Sequence, residues 1–350
     1  PSKVVVQEYV YTKADFPRCH SATIVETTKG DLLTAFFGGT REGHPDVCIY
    51  VSRKDKGSES WTAPKLAADG IQEDGSRKAC YNPVLFQQPD GPLWLFYKVG
   101  NRVSDWKGYA KISNDGGHSW SKAFDLPEGY LGPVKNKIEL VGDKMIAASS
   151  TEGNGWKVHF EIAEDGGRRY RKVGPIAAEK AIPTHLQLPT GAPASGVDIE
   201  GGDNAASSTV QAIQPSILKH KDGRLQILCR TRNGRVATSW STDEGESWSP
   251  LTLTDVPNNN SGTDAVSLAN GKHLLVYNAV ATKPGEKKGP RTPLNVATSN
   301  DGLNWKMIHT LEDSPISQYS YPSVIQTKDG YVHIVYTWRR ERIKYVKMKL

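Results

Sequence analysis

A chain of 350 residues with a formal charge of +6 and 23% charged side chains is an ordinary globular sequence with a slight basic excess. Lysine and arginine are scattered apart from Arg339-Arg340-Glu-Arg342 and the stretch Lys283 to Arg291, so nucleic-acid binding has little support, whereas a mild positive balance suits acidic glycans. No apolar run reaches membrane-spanning length, the start carries no signal-peptide pattern, and the four cysteines (Cys19, Cys48, Cys80, Cys229) lack metal-site spacing, which favours buried free thiols over disulfides.

In chain order, the first predicted strand is Lys3 to Tyr11, expected to join Ile343 to Met348 in one sheet. Six hairpin signals follow: Ser21 to Phe37, Asn82 to Lys98, Asn136 to Ser150, Gln214 to Arg230, Thr263 to Asn278 and Tyr321 to Thr337. Each is an apolar run, a turn centred on Gly or Asp-Gly, and a second apolar run. Six copies at similar spacing indicate one supersecondary unit repeated along the chain. Length alone permits two or three domains, but the even spread predicts one closed domain over residues 1–350. The segment Leu186 to Ser208, rich in Gly, Pro, Ala and Ser, reads as an insertion, either a surface loop or part of a pocket rim.

A second repeat interleaves with the first. Ser113-Asn-Asp115-Gly-Gly117-His-Ser-Trp120 matches Ser241-Thr-Asp243-Glu-Gly245-Glu-Ser-Trp248 position for position. Ala163 to Tyr170 is a softer copy, Ser299 to Trp305 is one residue short, and Ser52 to Trp61 carries insertions. In such a turn Asp accepts backbone N–H groups, Gly takes positive φ, and Trp packs beneath. The pattern resembles the Asp boxes (S-x-D-x-G-x-x-W) of sialidase-type β-propellers, and the resemblance covers nearly the whole chain. It implies an all-β fold, a six-bladed β-propeller of four-stranded antiparallel blades, with the first strand closing the ring and removing the sheet edges. Asp boxes are structural in that family and lie far from the catalytic face, so they point to fold rather than chemistry.

The innermost strands of a propeller line its channel, and their starts meet at one mouth. The residues before each first apolar run are His20, Asn82, Asn136 with Lys135 and Lys137, Gln214, Asp264 and Tyr321; the ends of the next runs add Lys98, Glu152, Arg230 and Asn278. Singly each reads as a solvated or hydrogen-bonding residue, and Asp264 divides evenly between sugar contact and turn stabilisation. Together on one face they favour a polar ligand. His44 and His159 read as surface or inter-blade hydrogen-bonders, and Trp106, Trp156 and Trp338 as inter-blade packing, one of them a candidate for stacking on a sugar.

The resemblance to sialidases implies roles. That family holds its substrate's carboxylate with three arginines and uses a Tyr nucleophile assisted by Glu, with an Asp as acid/base. Arg230, seven residues after Gly223, looks like the second arginine, and Arg291 like the third. Tyr321 sits where the nucleophile belongs, and Asp46, on the same first-blade loop as Arg41, falls near the acid/base. Glu152 or Glu161 is the implied base for Tyr321. Guanidinium forks suit a carboxylate, and a neutral Tyr avoids repulsion at an anomeric carbon that already bears one. The chain also departs from the family. His20 stands in the place of the first arginine, with Arg18 two residues upstream as a substitute, and Gln214 stands where a Glu often orients that arginine.

These features lead to an exo-acting glycoside hydrolase that releases a terminal acidic sugar, sialic acid foremost, with Arg18, Arg41, Asn82, Lys98, Lys137, Gln214, Arg230, Asp264 and Arg291 as candidate substrate-binding residues and Tyr321, Asp46, His20 and Glu152 as candidate catalytic ones. A rival reading is a lyase or rhamnosidase-type enzyme acting beside a uronate, with His20 as base and Tyr321 as proton donor. A third is a glycan-binding propeller without catalysis. No cofactor or metal is expected, and a secreted or periplasmic monomer is.

Overall fold

The computed structural model describes residues 1–180, 209–283 and 285–350. The insertion expected over Leu186 to Ser208 lies outside the described residues. Six sheets, each of four antiparallel strands, follow one another as blades: 18–68, 79–125, 139–173, 212–257, 264–312 and 319–349. The sixth takes its outermost strand from Lys3–Tyr9, which pairs with Arg342–Lys349 from Lys3 opposite Lys349 to Tyr9 opposite Lys344. This is the closure expected of a β-propeller.

The strand sequences follow from their place in the blade. Second strands such as Leu93–Gly100 and Leu225–Thr231 are buried almost throughout, because both faces pack against neighbouring blades, and they read as continuous apolar runs. Outer strands such as Arg169–Val173 are largely exposed and charged. The apolar core is accordingly divided. Phe37, Ile49, Leu85 and Leu95 pack between blades 1 and 2, Val84, Phe96 and Ile146's neighbour Met145 between 2 and 3, and Phe160, Ile217 and Ile227 between 3 and 4. Equivalent clusters join blades 4 and 5, 5 and 6, and 6 and 1. Truncating one such side chain, for example Ile227→Ala, costs about 2–5 kcal/mol.

The Asp boxes form the turns between third and fourth strands. Ser241 Oγ donates to Asp243 at 2.8 Å and accepts from Gly245 N at 2.9 Å, Asp243 accepts from Ser247 N at 2.9 Å, and Trp248 Nε1 donates to Gly245 O at 3.1 Å. The boxes at Ser113 and Ser299 repeat the Ser and Asp bonds, with 2.8 and 2.9 Å for the equivalent Gly117 and Gly302 N–H contacts, and Trp305 repeats the indole bond at 3.2 Å. All four cysteines are free and buried. Among the described residues, no helix is long and apolar enough to cross a membrane.

One backbone device recurs at the opposite end of the blades. In the first strands of blades 1, 2, 4 and 6 the register slips just where a residue takes positive φ: Ser21 at 59°, Asn82 at 34°, Gln214 at 54° and Tyr321 at 52°. Three of the four precede a proline, which has no N–H to offer the ladder. Two of these residues, Gln214 and Tyr321, meet through their side chains, and strained positions of this kind commonly serve a site.

Candidate active site

Tyr321 stands at the centre of the mouth. Its phenol oxygen accepts from Arg230 Nη1 at 2.8 Å and from Gln214 Nε2 at 3.1 Å. Gln214 is oriented by the same arginine, because its Oε1 accepts from Arg230 Nη1 at 3.3 Å and leaves the amide nitrogen facing the phenol. Arg230 Nε donates to Asn260 Oδ1 at 3.0 Å, and its guanidinium lies 5.5 Å from the Trp156 ring. Three cationic groups surround the Tyr321 ring: Arg291 and Lys135 at 5.5 Å and Arg230 at 5.9 Å from its centroid. Gly262 permits this crowding, since a Cβ there would come within 2.6 Å of Lys135 and 3.1 Å of Tyr321.

A third guanidinium completes the group from a place the sequence did not advertise. Arg340 occupies the turn between the second and third strands of blade 6, in Arg339-Arg340, both at positive φ (54° and 57°) without a glycine. Each such residue costs roughly 1–2 kcal/mol. Gln318 Oε1 accepts from Arg291 Nη1 at 3.3 Å, Arg340 Nε at 3.1 Å and Ser320 Oγ at 2.7 Å, and so ties the two arginines together. Arg340 also forms an ion pair with Glu42 at 3.3 Å. Glu42 too escaped the sequence reading, although it lies between Arg41 and Asp46. The signals for Arg340 were the basic cluster Arg339-Arg340-Glu-Arg342 and a hairpin turn lacking glycine where left-handed geometry normally requires it.

Among the described residues, Arg230 and Arg291 meet only neutral acceptors: Tyr321, Gln214 and Asn260 for the first, Gln318 for the second. Burial pushes Arg291 down to about 10, with the charges of Arg230 and Arg340 adding to the fall and the interactions with Tyr321 and Glu42 opposing it. It stays charged at neutral pH. Buried charge without a counter-charge is costly, and an anion held in the cluster offsets that cost.

His20 lies behind this group. It is 1% exposed, its ring sits 4.0 Å from Tyr321 and 5.7 Å from Phe37, and Nδ1 shares a 2.8 Å hydrogen bond with Thr337 Oγ1. Nε2 is buried with no partner. Burial, then the charges of Arg340, Arg291, Arg230 and Lys135, hold its pKa well below the ordinary histidine value. It is a neutral ring under the tyrosine, and a weak base.

The two glutamates expected to assist Tyr321 separate. Glu161 is buried and fully engaged: it accepts from Leu131 N and Gly132 N at 3.2 and 2.8 Å and pairs with His159 at 2.7 Å. Glu152 makes no hydrogen bond to Tyr321. It lines a cavity of about 870 Å³ over blades 2 and 3, which reaches Gln214 at the mouth and is walled by Trp106, Tyr130 and Asn154. Burial raises its pKa against the opposing charges of Arg230 and Arg232, and Glu42 adds to the rise. Asp46 behaves oppositely. Burial pushes it up, but hydrogen bonds from the Thr40 side chain and backbone, with His44 at 2.8 Å, outweigh that and hold it below the usual range.

Several expected ligand contacts are instead consumed by the fold. Lys98 is fully buried and donates to the carbonyls of Asn82 (3.0 Å) and Pro133. Asn82 is likewise buried. Asp264 accepts from Lys137 (3.1 Å), Ser216 (2.9 Å) and Val324 N (2.9 Å), which ties blades 4, 5 and 6 to the segment before blade 3. Lys135 bonds Asn136, Thr263 O and Pro322 O at 2.8, 3.0 and 2.8 Å. These residues converge as expected, but on one another. Asn278 holds Pro293 O and Tyr319 O at 2.7 and 2.9 Å, and so docks the loop that carries Arg291. Arg18 and Arg41 are exposed and do not reach Tyr321; they line a separate cavity with Arg340. Trp106 packs on Tyr81 at 5.1 Å, Trp156 under Arg232 at 4.2 Å, and Trp338 on Tyr9 at 5.2 Å.

The sequence matches the family model described as a BNR repeat-like domain over residues 30–334. A search of curated protein sequences found no significant match. Among solved structures, the chain is similar to a protein of unknown function from Dyadobacter fermentans (TM-score 0.73, 16% identity, covering 100% of this chain and 99% of that one). It is also similar to the NanB sialidase of Streptococcus pneumoniae (0.67, 13%, 98% and 70%) and to a leech intramolecular trans-sialidase complexed with 2,7-anhydro-Neu5Ac (0.67, 13%, 97% and 69%). At these identities the likeness shows the fold.

Proposed function

Since the chain belongs to the BNR repeat-like domain family and shares the fold of solved sialidases, we propose that it is a glycoside hydrolase that releases a terminal acidic sugar from glycans. The observation that carries this reading is the pair of guanidinium groups at Tyr321, Arg230 and Arg291, which face neutral partners only, with Arg340 tied to Arg291 through Gln318. A sugar carboxylate supplies the counter-charge in bidentate geometry. Sialic acid is the leading candidate, because its carboxylate is borne on the anomeric carbon itself, and a group held by these arginines brings that carbon to Tyr321.

In this account Tyr321 Oη, oriented by the donors Arg230 and Gln214, attacks the anomeric carbon as the bond to the leaving oxygen breaks, and the phenol proton passes to solvent water. Glu152, whose carboxyl is shifted by burial in the direction a proton donor needs, protonates the leaving oxygen. Asp46 is the weaker choice for that step, because its lowered pKa leaves it ionised. Water then attacks the glycosyl-tyrosine, giving up a proton to the Glu152 carboxylate left by the first step, and the tyrosine departs and regains its proton from solvent. Substrates of this kind are mostly extracellular, so secretion or a periplasmic location belongs to the same proposal.

Gln214 favours a second reading. An amide cannot accept the phenol's proton, and a propeller that binds acidic glycans without cleaving them needs no base there. The lyase reading has less support, because His20 is buried behind Tyr321 and its basicity is depressed. The test is product analysis with a sialyl-oligosaccharide and a uronate polysaccharide, for wild type and Tyr321→Phe. Free sialic acid from wild type alone supports the proposal. Release undiminished in the variant removes Tyr321 as nucleophile, and an unsaturated uronate product overturns the hydrolase assignment.

A further inference from the structure

We infer that a second anion-binding subsite adjoins the arginine cluster, in the cavity between blades 1 and 6, and takes a second carboxylate or sulfate on the same glycan. The inference rests on the reading of the central cluster as the seat of an acidic sugar. The cavity, about 410 Å³, has four arginines in its wall (Arg18, Arg41, Arg339 and Arg340) against one carboxylate, Glu42. That volume lies within the range of roughly 300–1,000 Å³ usual for small-molecule sites.

Glu42 is already engaged with Arg340. Arg339 donates to the Tyr319 hydroxyl at 3.0 Å and lies 4.4 Å over the Trp338 ring, both uncharged partners. Arg41 reaches the Glu42 carbonyl at 3.5 Å, and among the described residues neither it nor Arg18 forms an ion pair. Elsewhere on the molecule Arg53, Arg171 and Arg224 each lie against a carboxylate. Four positive charges against one carboxylate thus share one concavity, where low-dielectric walls focus the field on an anion.

The wall is fixed as well as charged. Arg339 N donates to Gln318 O at 2.6 Å, and Cys19 N to Arg340 O at 2.8 Å, which anchor the left-handed turn to blade 1. Gln318 also joins Arg340 to Arg291, so the cavity and the central cluster share a side. A sugar bound at Tyr321 can therefore direct an anionic neighbour into the arginine-lined cavity. The substrate class this describes is a glycan with two acidic groups near its end.

The test measures binding by calorimetry in Tyr321→Phe protein. The ligands are free sialic acid, a sialic acid dimer, sialyl-galactose and sialyl-galactose sulfated on galactose. The dimer is expected to bind about tenfold more tightly than the monomer, or the sulfated ligand about tenfold more tightly than its unsulfated control, and whichever shows the gain identifies the anion. Arg18→Ala with Arg41→Ala removes that gain and leaves free sialic acid within about twofold of its original affinity. No gain from a second anion, or a gain that survives the double substitution, overturns the subsite. A dianion that binds through Arg18 and Arg41 while free sialic acid does not bind upholds the subsite and overturns the central reading instead.

Discussion

The side-chain amide of Gln214 donates to the phenol oxygen of Tyr321 across 3.1 Å, in the position where a carboxylate would serve as the tyrosine's base. The same amide accepts from Arg230, so one neutral residue orients the phenol without discharging the arginine.

Gln214→Glu separates those two roles. A carboxylate there accepts the phenol proton, and kcat on a sialoside rises by about 10²-fold, at the low end of general-base effects. It also neutralises Arg230, so KM rises several-fold. Steady-state kinetics read both; no change in either contradicts the assignment of Tyr321 as nucleophile.

Arg340 is expected to act as the third arm of the carboxylate clamp. Arg340→Met and Arg291→Met each weaken binding of an acidic sugar about tenfold or more, since hydrogen bonds to charged groups contribute about 1.5–3 kcal/mol. Arg340→Lys recovers only part of the loss, because the planar fork is gone. An unchanged Kd for Arg340→Met would remove it from the site.

Glu152 is expected to set the pH dependence. Burial raises its pKa, so as a proton donor it works below the raised value, and activity falls as pH climbs through it. Glu152→Gln lowers kcat by roughly 10²–10⁴ and abolishes that alkaline limb. A substrate with a phenolic leaving group is impaired much less. Retention of the limb in the variant points to a different acid.

Much of the architecture was legible because it is encoded locally. Ser241, Asp243, Gly245 and Trp248 build their turn from one another, so the same eight-residue phrase predicts the same turn wherever it occurs. Tyr321, Gln214 and Arg230 were legible for a related reason: their distance from a hairpin glycine places them at the mouth. Arg340 was not, because it reaches Arg291 only through the packing of blade 6 against its neighbours. Spacing likewise predicted that Asp264 and Lys98 converge on the axis. It carried no information on whether their hydrogen-bonding capacity was already spent on Lys137, Ser216 and the carbonyls of Asn82 and Pro133.

Lys98 yields a stability prediction with a definite sign. Burial pushes its pKa from 10.5 to about 7, only partly opposed by Glu161. Between those values the unfolded chain binds more protons than the native one. Stability therefore rises with pH, by at most about 1.4 kcal/mol per pH unit from this group. The penalty is fully present below the folded value and absent above the unfolded one. Urea unfolding at pH 7 and pH 9 should show a rise in wild type that Lys98→Met reduces; identical slopes would mean that Lys98 does not titrate in this window.

The central claim is that the arginine cluster recognises a sugar carboxylate, and calorimetric titration with sialic acid and with its methyl ester tests it most directly. The account predicts that the acid binds at least about tenfold more tightly than the ester and that Arg291→Met erases the difference. Equal affinity for acid and ester, or a preference that persists without Arg291, would contradict it.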